Sequence, residues 1–331
     1  MGQGPLVVQL GESGFGPMAV GGKAANLGEL IRAGFDVPPG FVVVAAAFER
    51  FGGGVALPAD VEHEIVAAYQ RLGSRDGPEP PVAVRSSAIG EHCVGTSFAG
   101  LHDTFLWQRG RAQVIDRVRQ CWASLYSHEA LEYRSALCLD GRAAGMGVIV
   151  QRMVEADISG VAFTVSPASG DPSVIAVEAG WGLGTSVVGG EVTPDSFRIS
   201  KVTGEVIERA IGSKHFRYIP NRGSDGVTAE PVPEVLRAAA CLDDDQLLRV
   251  VRLAAAVERH YGRPQDIEWA LELNASASSA GRLSLLQSRP ETVWSQREGG
   301  LASPRADPVD YVVASLLGDT GAAGPSRWSP S

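Results

Sequence analysis

Lysine is scarce in this chain of 331 residues, in which only three of the 29 Lys and Arg residues are lysines. The net charge is -9 and the sequence pI is about 5.2. A surface that binds duplex nucleic acid needs clustered basic side chains to neutralise phosphates, and this composition argues against one. We therefore expect no nucleic-acid partner, although a small anion can still bind in a local basic pocket.

Cysteines and long hydrophobic segments are also scarce. The four cysteines show neither CxxC spacing nor a Cys/His ligand pattern, which argues against a zinc site and indicates reduced, mostly buried thiols. The longest apolar run, FVVVAAAF at 41–48, is too short to span a bilayer, and the N-terminus lacks the basic region of a secretory signal. We expect a cytoplasmic protein without a membrane segment.

The apolar pattern predicts helices and short strands in irregular alternation. Helical spacing follows GGKAANLG at 21–28, a stronger apolar stripe follows residues 243–245, and Asp60 is expected to cap a further helix. Strands are predicted at 82–87, 147–154, 159–166, 173–180 and 195–200, with a hairpin from 266 to 290. This mixture predicts an α+β domain over residues 1–294, followed by a Gly/Pro/Ser-rich C-terminal tail at 295–331.

The predicted hairpin places three polar side chains where they can converge. Strand alternation puts Glu268 on the face opposite Ile267 and Trp269, whereas Gln287 and Arg289 share one face of the second arm. These groups suit a magnesium nucleotide, because Mg2+ takes a few protein oxygens and an arginine can donate two hydrogen bonds to phosphate. The alternative is a Glu-Arg cross-strand pair on a solvated sheet face.

Lys23 and Arg85 are candidates for binding an anion. Lys23 follows two glycines in the first turn of a predicted helix, where its ammonium and the helix N-terminus can both face an anion. Arg85 lies near the end of the strand predicted at 82–87, and the loop after this strand has recurring glycines whose backbone N–H groups can approach phosphate closely. His92 and His102 lie in this loop and can touch a substrate. Ordinary surface positions are the alternative for all four residues.

Eight segments in the same order resemble the N-terminal nucleotide-binding domain shared by phosphoenolpyruvate synthase, pyruvate phosphate dikinase and rifampicin phosphotransferase. The segments read GGKAANLGEL, VPPGFVV, VRSSA followed by SFAGLHDTFL, GVIVQRMV, SGVAFTVSP, GLG with EVTPDSF, HYGRPQDIEWA and LLQSRPETV. They extend from about residue 13 to residue 294. The resemblance implies an ATP-grasp fold with two lobes that clamp ATP and magnesium between them.

The same resemblance implies roles for individual residues. Lys23 and Arg85 would hold phosphates, Arg289 would contact the terminal phosphates, and ATP and Mg2+ would be the cofactors. The other implied contacts are an adenine hinge of Gln151, Met153 and Val154, a ribose or adenine-side contact at Glu178, and magnesium ligation by Glu268 and Gln287. Lys214 matches a family lysine to which the sequence assigns no role.

The chain departs from these relatives in its histidines and in its length. In the relatives a swivelling domain carries a catalytic histidine in a glycine- and threonine-containing motif, and none of the six histidines here lies in such a motif. Only about 37 residues follow Trp294, so we expect no acceptor domain.

We therefore expect an ATP-dependent phosphotransferase that passes phosphoryl to a small-molecule acceptor or to a separately encoded histidine-bearing partner. Two alternatives stay open. One is an ATP-grasp ligase that activates a carboxylate as an acyl phosphate for attack by an amine. The other is a nucleotide-binding subunit without turnover.

Overall fold

The computed structural model describes residues 4–52, 56–73, 79–89, 104–125, 145–221, 223–273 and 281–294. The chain divides into two compact units. The first comprises Met1–Glu155, Ile219–Ala229 and Ser284–Gln287, and the second comprises Ala156–Tyr218, Glu230–Leu283 and Ser288–Ser331. The loop with His92 and His102 and the predicted tail at 295–331 lie outside the described residues.

Helices and strands alternate along the chain as short elements. The described helices are α1 (Pro17–Val20), α2 (Gly22–Arg32), α3 (Ala45–Phe51), α4 (Ala59–Leu72), α5 (Arg111–Ser124), α6 (Thr185–Val188), α7 (Glu234–Arg237) and α8 (Asp244–Tyr261). The described strands are β1 (Val7–Gln9), β2 (Gly40–Val43), β3 (Val82–Ala88), β4 (Thr104–Gln108), β5 (Met146–Arg152), β6 (Ile158–Phe163), β7 (Val174–Trp181), β8 (Asp195–Ser200), β9 (Val206–Ala210), β10 (Phe216–Pro220), β11 (Val227–Pro231), β12 (Gln265–Glu272) and β13 (Arg282–Pro290).

The first unit contains a five-stranded sheet in the order β1-β2-β5-β3-β4, and each of these neighbouring pairs is antiparallel. One face of the sheet packs with α3, α4 and α5 around a buried apolar cluster. Within it, the rings of Phe48 and Phe51 lie 5.9 Å and 5.3 Å from the ring of Trp122, measured between centroids. The apolar run at 41–48 is divided between β2 and α3, so it forms two elements of one core.

Helix α4 begins differently from the prediction. Pro58 occupies the N-cap position, so Asp60 lies in the first turn and the prediction that it caps the helix is wrong. The reason is that the extended conformation of Pro58, with φ -57 and ψ 140, already ends the preceding segment. From the first turn the Asp60 carboxylate pairs with Arg50 and suits the positive end of the helix dipole.

The second unit contains a six-stranded sheet in the order β13-β12-β6-β7-β8-β9. The pairs from β12 through β9 are antiparallel, and a separate two-stranded sheet joins β10 to β11. Helices combined with antiparallel sheets confirm the predicted α+β class. Predicted strand 195–200 corresponds to β8 with the same bounds.

Helix α8 has strong signals at both ends. The Asp243 side chain accepts a hydrogen bond from the Gln246 amide, and the Gln246 side chain accepts one from the Asp243 amide, which completes a capping box. Gly262 ends the helix in the left-handed region with φ 63. The buried stripe, which packs against β6, β7 and β12, consists of Leu247, Val250, Val251, Ala254 and Val257.

Candidate functional site

The first turn of α2, which carries Lys23, lies directly on β3. Gly21 precedes the helix with φ 81, and a Cβ atom there would stand 1.9 Å from the Ser87 carbonyl oxygen. The Ala24 amide donates to the Ser87 hydroxyl at 3.0 Å. Only glycine therefore fits at position 21, because both its backbone conformation and its contact exclude a side chain. Lys23 itself is half-buried.

Arg85 lies two residues before Ser87 in β3, so strand alternation places both side chains on the same face. The Arg85 side chain is half-buried, and its Nε atom is buried without a hydrogen-bond partner among the described residues. A buried donor of a charged group is costly when it is left unpaired. An anionic ligand would satisfy it.

The end of β5 carries Gln151, the first residue of the expected adenine hinge. Gln151 pairs with Ala83 of β3 and is 2% exposed, and its Nε2 atom donates to the Pro38 carbonyl at 3.0 Å. The amide of Met153 donates to the Pro81 carbonyl at 2.9 Å. The Gln151 side chain and the Met153 amide are therefore already hydrogen-bonded within the first unit. At the same strand end, the Met153 carbonyl and the backbone groups of Val154 have no backbone partner among the described residues.

Two candidate residues of the first unit, Arg85 and Gln151, share one face of its sheet. Arg85 is opposite Ile149 in β5, and Gln151 follows two residues along, so Arg85, Ser87 and Gln151 are on the face opposite the helical core. The junction of α1 and α2 covers part of this face, since a Cβ atom at Gly147 would stand 2.3 Å from the carbonyl oxygen of Val20. Arg85 and Gln151 therefore occupy adjacent rows of the pleat.

The second unit brings Glu178 and Glu268 onto one row of its sheet. Val161 of β6 pairs with Glu268 on one side and with Glu178 on the other. Two strand spacings separate the glutamates by about 10 Å. Both side chains are half-buried, and burial raises the pKa of the Glu178 carboxyl above its usual 4.5. Ser196 of β8 continues the same row.

Arg289 forms an ion pair with Asp266, not with Glu268. Its Nε atom lies 3.2 Å from an Asp266 carboxylate oxygen, and the Arg289 side chain is 52% exposed. Burial raises the pKa of Asp266, although the nearby Arg289 opposes this effect. The other Asp266 oxygen, Oδ1, is buried without a partner among the described residues. Gln287 is half-buried in the part of β13 that belongs to the first unit.

Lys214 is a buried residue of the second unit. It is 1% exposed and pairs with Asp195, which is 0% exposed, and its Nζ atom also donates to the Gly212 carbonyl at 2.9 Å. Sequence reasoning missed Asp195. Its signal was the alternation of β8, which puts Asp195 on the buried face with Phe197 and Ile199.

Within the described residues, no group of three or more His, Cys, Asp and Glu side chains is placed to hold a metal ion. A magnesium site of the expected kind needs fewer protein ligands, and the carboxylate and amide oxygens of Glu268 and Gln287 are hard donors that suit Mg2+. The same part of the chain has no helix both long and apolar enough to cross a membrane. Cys121 and Cys241 are buried thiols, as predicted.

Most of the chain matches a known protein family. Residues 54–306 match the pyruvate phosphate dikinase AMP/ATP-binding domain. The chain belongs to this family. This match confirms the resemblance drawn from the eight segments. The sheet faces described above lie within the matched AMP/ATP-binding domain.

Several relatives of this AMP/ATP-binding domain are longer than the present chain. Phosphoenolpyruvate synthase of Aeropyrum pernix is 38% identical over 339 residues, which cover 84% of this chain and 41% of that protein. A probable phosphoenolpyruvate synthase of Methanothermobacter thermautotrophicus is 37% identical, with 82% and 44% covered. The prodigiosin synthesizing transferase PigC of Serratia marcescens is 38% identical, with 87% and 33% covered. The chain thus spans less than half the length of these three relatives.

Proposed function

We propose that this chain has the two-lobed ATP-grasp fold and is an ATP-dependent phosphotransferase. The observation that carries the proposal is the family match to an AMP/ATP-binding domain over 54–306. The shared face of Arg85 and Gln151 supports it, because the residues expected to bind phosphate and adenine lie on adjacent rows of one sheet.

In the first unit, Lys23 and Arg85 hold the phosphates, and the strand end at 151–154 binds adenine. The buried Gln151 side chain acts by fixing the strand end, since it is already bonded to Pro38. A backbone carbonyl and a backbone amide at Met153 and Val154 suit the amino group and the ring nitrogen of an adenine edge. The phosphates and the base are therefore bound by different structural elements.

Glu268 and Gln287 would be the protein ligands of magnesium, and Arg289 would contact the terminal phosphates. Held by these residues, magnesium would supply positive charge that neutralises the phosphates. Arg289, whose side chain is 52% exposed, reaches phosphate by giving up its ion pair with Asp266. Glu178 contacts the ribose or the adenine side.

Phosphoryl transfer depends mainly on positioning and charge neutralisation. Lys23, Arg85 and Arg289 supply fixed positive charge for the transferring group, and the half-buried setting of Lys23 and Arg85 strengthens their interaction with it. The acceptor is a small molecule or a histidine of a separately encoded partner domain.

Product analysis tests the reaction. The purified chain is incubated with ATP, Mg2+ and candidate acceptors, with and without a histidine-bearing domain from a relative, and AMP, ADP, phosphate and pyrophosphate are followed. Acceptor-dependent phosphorylation supports the proposal. ADP and phosphate with an amide product would indicate a ligase, and binding of ATP without any product would indicate a non-catalytic subunit.

Calorimetry tests the magnesium site. Glu268→Ala should weaken ATP binding in Mg2+ by about tenfold or more but leave binding in EDTA unchanged, because it removes one charged metal ligand. Glu234→Ala is the control, since Glu234 is an exposed carboxylate in the first turn of α7. Equal ATP affinity of Glu268→Ala and wild type in Mg2+ would remove Glu268 from the site.

A further inference from the structure

Two Pro-Pro pairs, Pro38-Pro39 and Pro80-Pro81, flank the end of β5. Proline has no backbone N–H, so such a pair can be anchored by backbone hydrogen bonds only through its carbonyls. Three of the four carbonyls accept hydrogen bonds from residues 151–153: Pro38 from Gln151 Nε2 at 3.0 Å, Pro39 from the Arg152 amide at 2.9 Å and Pro81 from the Met153 amide at 2.9 Å.

The fourth carbonyl is bonded to a tyrosine. The hydroxyl of Tyr69, in α4, donates to the Pro80 carbonyl at 2.8 Å and accepts from the Gly110 amide at 3.0 Å. Tyr69 is 1% exposed, and Pro80 is buried. Burial raises the pKa of the Tyr69 hydroxyl, so it remains a protonated donor at neutral pH.

We infer that Tyr69 is a positioning residue for the adenine hinge and so controls base affinity. Its hydroxyl fixes Pro80, the adjacent Pro81 carbonyl fixes the Met153 amide, and this contact sets where the Met153 carbonyl and the Val154 amide stand. The inference rests on the proposed function, because it takes 151–154 as the adenine site. Lys23 and Arg85 lie on α2 and β3, outside this chain of contacts.

Removal of the Tyr69 hydroxyl should therefore weaken binding of the base but not binding of the phosphates. In Tyr69→Phe the buried Pro80 carbonyl loses its donor and the Gly110 amide loses its acceptor, which allows the Pro80-Pro81 segment to shift. We expect dissociation constants for AMP and ATP to rise about five- to tenfold, the size of effect of one lost hydrogen bond. The dissociation constant for tripolyphosphate should change less than about twofold.

Isothermal titration calorimetry of the full chain with AMP, ATP and inorganic tripolyphosphate tests the inference. Tyr218→Phe is the matched control, because its hydroxyl bonds to exposed Glu191 at 2.9 Å. Gln151→Met is a second variant that unpairs the Pro38 carbonyl, and it should show the same loss confined to AMP and ATP. Circular dichroism verifies that each variant is folded, and if Tyr69→Phe is not folded, Gln151→Met decides.

Three outcomes are distinguishable. A loss confined to AMP and ATP in Tyr69→Phe and Gln151→Met, absent from Tyr218→Phe, supports the inference. Equal losses for nucleotides and tripolyphosphate, or unchanged affinities in folded variants, overturn it while ATP binding by the wild type preserves the proposed function. If the wild type binds neither AMP nor ATP, the proposed function fails and the inference fails with it.

Discussion

Lys214 provides a sharp test of whether a family lysine acts on the ligand or on the fold. Its ammonium pairs with Asp195, and the Asp195 carboxylate also accepts from the amides of Gly212 at 2.9 Å and Cys241 at 2.7 Å. Lys214 adopts a positive φ of 38, which a non-glycine residue keeps only where its surroundings enforce it. This network joins three chain segments inside the second unit.

The expected loss of stability follows from the burial of the Lys214–Asp195 pair. Lys214→Met leaves the Asp195 carboxylate buried without a counterion, and breaking a buried pair in this way costs about 3–5 kcal/mol of unfolding free energy. A second substitution, Asp195→Leu, should not restore the wild-type value. It removes the acceptor of two buried amides, each of which then costs about 1–3 kcal/mol.

Urea unfolding followed by circular dichroism measures this loss, and calorimetry at low temperature measures ATP affinity of the folded variant. Lys214→Met should lower stability while ATP affinity changes less than about twofold. The control is Arg198→Met, whose pair with Glu208 is 39% and 57% exposed and should contribute less than about 1 kcal/mol. A stable Lys214→Met protein that no longer binds ATP would refute the structural role.

Three further predictions concern the candidate site. Gly21→Ala should weaken the binding of tripolyphosphate and ATP and lower the melting temperature. Its control is Gly14→Ala, with φ 95 and no atom within 4 Å of the added Cβ, which should show only the cost of backbone strain, about 1–2 kcal/mol. Equal effects of the two substitutions would contradict the contact of Gly21 with β3. Arg289→Ala should reduce phosphoryl transfer about 10²- to 10³-fold, as for loss of one electrostatic donor, and unchanged turnover would exclude the assigned role. Burial raises the pKa of Glu178, so its neutral carboxyl group stabilises the folded protein. This stabilisation is complete below pH 4.5, the usual pKa of the group, and is lost as the pH rises through the raised pKa. Glu178→Gln should therefore stabilise the protein at about pH 8 and have little effect near pH 4, and a larger gain at the lower pH would contradict the sign.

Local patterns predicted several elements well because their signals are local. The stripe of α8, which follows the acidic residues 243–245, was predicted from 3.6-residue spacing, and β8 from two-residue alternation. The same reasoning failed at Asp60, where the preceding proline set the helix start. It also did not find α3, because the apolar run at 41–48 carries no internal signal for a change from strand to helix.

The sequence by itself determined the α+β class, the membership of the AMP/ATP-binding domain family and the residue types available for phosphate and metal. Only the tertiary structure decided that Arg85 and Gln151 share a face, that Asp266 is the partner of Arg289, and that Lys214 is buried on Asp195. The physical reason is strand register. Strands β3 and β5 are separated by more than fifty residues, and a shift of one residue in their pairing would send every side chain to the opposite face.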